Sequence, residues 1–183
     1  DIPQVFHDNT LLRDVLDYTV DDQFEVILMN PPYGGSEKAD IKNHFPDDLA
    51  SSETADLFMA VIMYRLKKDG RAAVILPAGF LFGTDNAKVN LKKKLLSEFN
   101  LHTVIRMPGS VFAPYTSITT NILFFDRTNA AESEINIPST TTETVETILL
   151  NKYIESGKTV FSEASNSFIK LSNVGLVVIN LDG

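Results

Sequence analysis

Cysteine is absent, and with it go disulfide scaffolds, cysteine-ligated zinc and thiol nucleophiles. Positive charge is scarce: 16 Lys and Arg against 24 Asp and Glu leave a formal net charge of −8. That balance argues against a protein that grips nucleic acid by bulk charge alone. Long hydrophobic runs are missing too. The longest nearly apolar stretch, Ala72 to Gly83, is interrupted by Pro77 and falls short of the ~20 residues of a membrane span. The first residues, Asp1-Ile2-Pro3-Gln4, carry neither a basic nor an apolar leader region, so the expectation is no signal peptide, no membrane and a reducing, cytoplasmic setting. His7, His44 and His102 are scattered without metal-ligand spacing, so no metal site is expected. What is present suits a soluble globular chain: 183 residues, 44% apolar and 22% charged, one domain by default.

The pattern along the chain alternates strand and helix. Phe24 to Met29 is a short apolar run halted by Asn30-Pro31-Pro32, the signature of a buried strand ending in a turn. From Ser52 to Lys68, Leu57, Phe58, Val61, Ile62 and Leu66 fall at the spacing of one helix face, and Lys67, Lys68 and Gly70 supply C-terminal signals. Ala72 to Leu76 is a second buried strand, ended by Pro77. A helix is expected from Asn86 to Phe99, with Val89, Leu95, Leu96 and Phe99 inward and Lys88, Lys92, Lys93 and Lys94 mostly outward on a solvated face. His102 to Arg106 and Ile118 to Phe125 read as further strands, which implies a largely parallel α/β sheet. Three parts are therefore expected: residues 1–127 for the chemistry, a Thr-, Ser- and Asn-rich linker or loop over 128–144, and a tail over 145–183 of unassigned role. Within that tail Val145 to Ser156 suits a helix, and Phe168 to Leu171 and Leu176 to Leu181 suit strands. The polar stretch from Gly34 to Ser52 reads as a long loop.

The informative segment is Asn30-Pro31-Pro32-Tyr33. At average residue frequencies this tetrapeptide arises by chance in roughly one in a thousand chains of this size, or fewer. Its residue types suit a weak nucleophile, an exocyclic amine whose lone pair is delocalised into an aromatic ring. The Asn30 side-chain oxygen and a backbone carbonyl of the Pro31-Pro32 turn can accept the two N–H bonds and aim the lone pair. The prolines, with φ held near −65°, preorganise those acceptors. Tyr33 offers a face on which an extruded base can stack.

Ile27-Leu28-Met29-Asn30-Pro31-Pro32-Tyr33-Gly34-Gly35 resembles the catalytic motif of amino-methylating, S-adenosylmethionine-dependent DNA methyltransferases, and more closely that of the modification subunit of type I restriction–modification systems. Supporting blocks follow in order: Glu53 to Phe58, Gly70 to Pro77 with Leu81-Phe82-Gly83, and Met107 to Phe125. Together they cover roughly Val5 to Arg127. The resemblance implies adenine-N6 methylation of a flipped base with S-adenosylmethionine as cofactor. DNA and the specificity and restriction subunits of a type I complex would be the partners. It assigns Asn30, Pro31, Pro32 and Tyr33 to catalysis and puts either Phe112 or Tyr115 beside Tyr33 as the wall of the base pocket. Phe6 to Leu11 resembles the strand-end segment that contacts the cofactor adenine. That puts Asn9, or alternatively Asp8, near that ring, and a solvated helix cap is the competing reading.

The chain departs from that family in one respect. None of its nine glycines forms a Gly-x-Gly turn between a strand and a helix. The expected fold is therefore a partial Rossmann-like, S-adenosylmethionine-dependent methyltransferase sheet lacking its first strands and glycine-rich loop, which should bind cofactor poorly by itself. The segment after Arg127 follows no recognised family pattern. Two other functions compete. Asn-Pro-Pro-Tyr also suits protein-glutamine or rRNA amino methyltransferases, and loss of the cofactor half suits a non-catalytic assembly or DNA-clamping fragment.

Overall fold

The computed structural model describes residue 5, residues 7–128 and the strand residues 168–170 and 177–180. Three single-turn 3₁₀ segments (Thr10–Leu12, Val15–Asp17, Val20–Asp22) lead into β1 (Phe24–Met29). Helices α1 (Ala39–Lys42) and α2 (Thr54–Arg65) follow, then β2 (Leu66–Pro77), α3 (Ala78–Phe82), α4 (Asn86–Glu98), β3 (Asn100–Arg106) and β4 (Thr120–Asp126). Two strands of the tail, β5 (Phe168–Lys170) and β6 (Val177–Asn180), join the same sheet, in the order β1-β2-β4-β3-β6-β5. The expected helix over Val145 to Ser156, and the expected linker beyond Thr128, lie outside the described residues.

Strand direction follows the helical crossovers. β1 and β2 pair in parallel, as do β3 and β6. β4 pairs antiparallel with both β2 and β3, so those two also run the same way. Four strands share one direction, yet the ladder is mixed, because β4 returns into the space between β2 and β3 and β5 runs against β6. Residues 107–119 make that return, and β4 pairs antiparallel with the strand it follows.

α2 is buried on nearly every side, from Thr54 to Met63 with only Phe58 half-buried. A helix apolar all round has to be enclosed, and this one packs against β2, α4 and the first two 3₁₀ segments. It stops at Arg65, three residues earlier than the lysine and glycine signals suggested. Leu66 is fully buried and pairs with Phe24 at the start of the sheet. The register then jumps to Val26 opposite Arg71, so Lys67 to Gly70 form a bulge rather than a helix end. Asp69 takes φ 64°, and a Cβ on Gly70 would lie 2.8 Å from the Lys67 carbonyl and 3.0 Å from that of Glu25. Arg127 closes the bulge, its amide donating to the Gly70 carbonyl at 2.9 Å and its guanidinium to that of Leu66 at 2.8 Å.

β1 is not the buried strand its apolar run suggested. Only Ile27 is buried, while Val26 is 50% and Leu28 78% exposed. Its hydrophobicity reads as a two-sided burial pattern, but among the described residues one face alone is covered. The core lies on that face, where Ile27, Val74, Leu76, Leu123 and Phe125 meet α2 and α4. Phe99 closes it edge-on to Phe125, with ring centroids 5.6 Å apart. α4 corrects another expectation: Lys88 and Lys92 are buried with Leu91, Leu95 and Leu96, not solvated. The stretch from Gly34 to Ser52 is likewise no simple loop, since Ile41, Phe45 and Leu49 anchor it in the core.

Candidate active site

Four strand termini meet at one edge of the sheet. Met29 pairs with Val74 near the end of β1, Pro77 ends β2 opposite Thr120, and Arg106 ends β3 opposite Asn121. The segment after β1 and the connection from β3 to β4 therefore emerge side by side. The second is pinned at both ends, where the Met107 amide donates to the Thr120 carbonyl and the Ala78 amide to that of Thr119, each at 2.9 Å.

At this edge Asn30 is exposed, Pro31 buried, Pro32 exposed and Tyr33 half-buried against the core. The Tyr33 hydroxyl donates to Asn30 Oδ1 and lies 3.5 Å from the Ile75 carbonyl. Burial pushes the Tyr33 phenol above its ordinary pKa, so it stays a donor. An amide oxygen has two lone pairs; Tyr33 occupies one and leaves the second for another donor. Phe112 stands edge-on to Tyr33, with centroids 6.0 Å apart and planes at 71°. Tyr115, the other aromatic considered for that place, is 93% exposed. The two rings sit on one turn, with the Tyr115 amide donating to the Phe112 carbonyl at 2.9 Å, yet only Phe112 reaches Tyr33.

Asn9 caps the first 3₁₀ turn, and Asp8 bonds the amide next to it. Asp8 Oδ1 accepts the Asn9 amide at 2.7 Å, and Asn9 Oδ1 accepts the Leu11 amide at 3.0 Å. Both side chains are exposed. Asp8 Oδ2 and the Asn9 side-chain nitrogen take part in neither of these bonds. Among the described residues no group of three His, Asp or Glu side chains is gathered as a metal site. His44 and His102 have structural neighbours, the Leu11 carbonyl at 3.2 Å and the Thr103 hydroxyl at 2.9 Å.

Two buried polar atoms at this edge, Thr120 Oγ1 and Asn121 Nδ2, have no hydrogen-bond partner among the described residues. Sequence reasoning also missed an ion cluster centred on the buried Lys88 and Asp56. Lys88 Nζ lies 2.6 Å from Glu53, 2.9 Å from Asp56 and 3.2 Å from Asp85. Burial works to lower the Lys88 pKa, but its bonds to Glu53 and Asp56 outweigh that and hold it above the usual lysine range. Burial raises the Asp56 carboxyl. Glu53 and Asp56, like Asp85 and Lys88, stand three apart as helix neighbours do, but no sequence signal links the two pairs, because Lys88 lies thirty-five positions from Glu53.

The family model for N-6 DNA methylases matches residues 1–173. The chain belongs to the N-6 DNA methylase family. The match extends beyond Arg127, where the resemblance read from sequence had stopped. The chain is 49% identical over 124 residues to the EcoEI methylase subunit of a type I restriction enzyme from Escherichia coli, covering 68% of this chain and 25% of that protein. With the EcoKI methylase subunit from E. coli K12 it shares 31% over 110 residues, 58% of this chain and 19% of that one. The chain thus spans a quarter or less of these curated relatives. Among solved structures it resembles a modification subunit of a putative type I restriction enzyme from Vibrio vulnificus, with TM-score 0.63, 33% identity, and coverage of 96% of this chain and 41% of that one. The fold is similar to that of a putative class I S-adenosylmethionine-dependent methyltransferase from Listeria monocytogenes, with TM-score 0.50 and 19% identity, and among the described residues no helix is long and apolar enough to cross a membrane.

Proposed function

We propose that this N-6 DNA methylase chain carries the amine-acceptor side of an adenine-N6 DNA methyltransferase, as part of the modification subunit of a type I restriction–modification system. The observation that carries the reading is the corner formed by Asn30, Tyr33 and Phe112 at one sheet edge. A flipped adenine stacks on Tyr33, and Phe112 fixes that ring edge-on. One amino N–H donates to the free lone pair of Asn30 Oδ1, the other to a backbone carbonyl of the Pro31-Pro32 turn. With both N–H bonds held, the nitrogen rehybridises and its lone pair points out of the ring plane, where it forms the new N–C bond. S-adenosylmethionine would supply the electrophilic methyl in this chemistry, the methyl C–S bond breaking as the N–C bond forms and the neutral thioether leaving, with Asn9 or Asp8 the candidates for its adenine. The proton leaves the amine after transfer, so no general base of matched pKa is required.

In this reading residues 1–127 carry the chemistry, 128–144 connect, and 145–183 add strands to the far side of the sheet. The acidity of the chain suits a subunit whose partners, a specificity subunit and a restriction subunit, supply most of the DNA grip. A soluble, cytoplasmic enzyme acting on DNA is the matching setting. The test is transfer of radiolabelled methyl from S-adenosylmethionine by the full-length protein with its partner subunits. The acceptors are unmethylated duplex DNA, a protein release factor and ribosomal RNA. Labelled N6-methyladenine in DNA supports the proposal. Label only in glutamine or rRNA assigns the same corner to another planar amine, and label nowhere leaves an assembly or DNA-clamping role.

A further inference from the structure

Tyr33 is followed by a segment that is latched, residue by residue, to the start of α2. Gly34 turns the chain with φ +71°. The Gly35 carbonyl then accepts the Thr54 amide at 3.2 Å, Ser36 and Glu53 form an antiparallel bridge, and the Glu37 amide donates to the Ser52 carbonyl at 3.0 Å. The Thr54 hydroxyl adds a bond to Glu37 Oε1 at 3.0 Å. The fit is close enough that a Cβ on Gly35 would lie 2.5 Å from that hydroxyl oxygen. Residues 52–54 are thus the frame on which the chain leaving the catalytic turn is hung.

That frame is itself held by one ammonium from α4. Lys88 is 5% exposed and bonds Glu53, while Asp56, 1% exposed, is shared between Lys88 at 2.9 Å and the Ser51 hydroxyl at 2.7 Å. The same Ser51 oxygen accepts the Glu53 amide at 3.1 Å. The Lys88 stem crosses Gly83 so closely that a Cβ there would fall 2.2 Å from it. Charged hydrogen bonds of this length in a buried setting are directional as well as strong. Lys92, one turn on, donates to the Leu81 and Gly83 carbonyls at 3.0 and 2.6 Å, fixing the helix that carries Lys88 to the end of α3.

We infer that Lys88, through Glu53 and Asp56, is a positioning residue for methyl transfer: it fixes residues 51–56, and through their latch to Gly35–Glu37 it sets where Asn30 and Tyr33 stand. The inference rests on the function proposed above for that corner. It is tested with Glu53→Gln and Lys88→Met in the full-length protein assembled with its partner subunits. Glu53→Gln removes only the exposed arm and leaves the buried Lys88–Asp56 pair, so it reports even where Lys88→Met fails to fold.

Two readouts are needed. In single-turnover transfer to unmethylated DNA, Glu53→Gln should slow the chemical step about fivefold and Lys88→Met about fiftyfold, with affinity for S-adenosylmethionine and DNA unchanged. In hydrogen exchange, the amides of Glu37 and Thr54 should exchange at least about tenfold faster in both variants, while those of β3 and β4 keep their protection. Wild-type transfer rates in folded variants, or unchanged exchange at Glu37 and Thr54, overturn the inference. Absence of transfer in the wild type defeats the proposed function instead, and the exchange arm still decides whether the latch exists.

Discussion

Two connections share the active edge of the sheet and are built in opposite ways. The one after β1 passes through two prolines, then a two-hydrogen-bond bridge to the residues that open α2, and is backed by the buried Lys88–Asp56 pair. The one between β3 and β4 carries no charged side chain from Met107 to Thr119, is tied chiefly at its ends and by its own turns, and leaves Tyr115 in solvent. In the proposed reaction the difference follows what each has to do. Hydrogen-bond acceptors for a developing positive charge must be in place before the reaction, since reorganisation would add to the barrier. An aromatic wall acts through area and tolerates small adjustments.

The sharpest way to break this comparison is at the acceptor. Asn30→Ala removes the oxygen that Tyr33 orients, and methyl transfer should fall about 100-fold or more with the fold intact; near-normal transfer would show that the rigid connection is not the chemical one. On the other connection, Phe112→Ala should weaken capture of the flipped base by about 2 kcal/mol, some 30-fold, read as loss of 2-aminopurine fluorescence gain at the target base. Tyr115→Ala tests the choice between the rings. It should leave that signal near wild type and stability within about 0.5 kcal/mol, because the side chain is already exposed. A larger effect of Tyr115 than of Phe112 would reverse the assignment.

A subtler change probes the latch. Gly35→Ala forces the Thr54 hydroxyl away from Glu37 and should lower thermal stability by about 1 kcal/mol, with a greater loss of transfer than Gly79→Ala, where a Cβ meets open space. The smallest effect is expected far from the site. Hydrogen bonds from Arg13 and then from Thr19 hold the Asp22 carboxyl well below its ordinary pKa. Its folded pKa is depressed, so its contribution is present above the ordinary value of 3.8 and is lost as pH falls toward the folded value. Asp22→Asn should flatten that part of the acid unfolding curve while leaving neutral-pH transfer unchanged. Unaltered acid sensitivity would show the pair to be inert.

Much of the fold was legible because it is local. The run Phe24 to Met29 matched its strand residue for residue, and Asp85 caps α4 one residue before its expected start. The strand tendencies at Phe168 and Leu176 also survive as β5 and β6. The errors share a cause. α2 ends at Arg65 instead of Lys68 because Leu66 is recruited by Phe24, forty-two positions away. Lys88 and Lys92 look like a solvated face until Glu53, Asp56 and the α3 carbonyls are brought against them.

By itself, then, the sequence determined the alternation of strands and helices and the one tetrapeptide whose residue types suit an amine acceptor. Periodicity, proline geometry and side-chain chemistry are properties of neighbours along the chain. The tertiary structure alone decided that β4 returns between β2 and β3, that Phe112 rather than Tyr115 meets Tyr33, and that a buried lysine holds the residues to which the chain after Tyr33 is latched. Each of these depends on groups far apart in sequence, whose contact is set by how the sheet orders its strands and how the core fills beneath it.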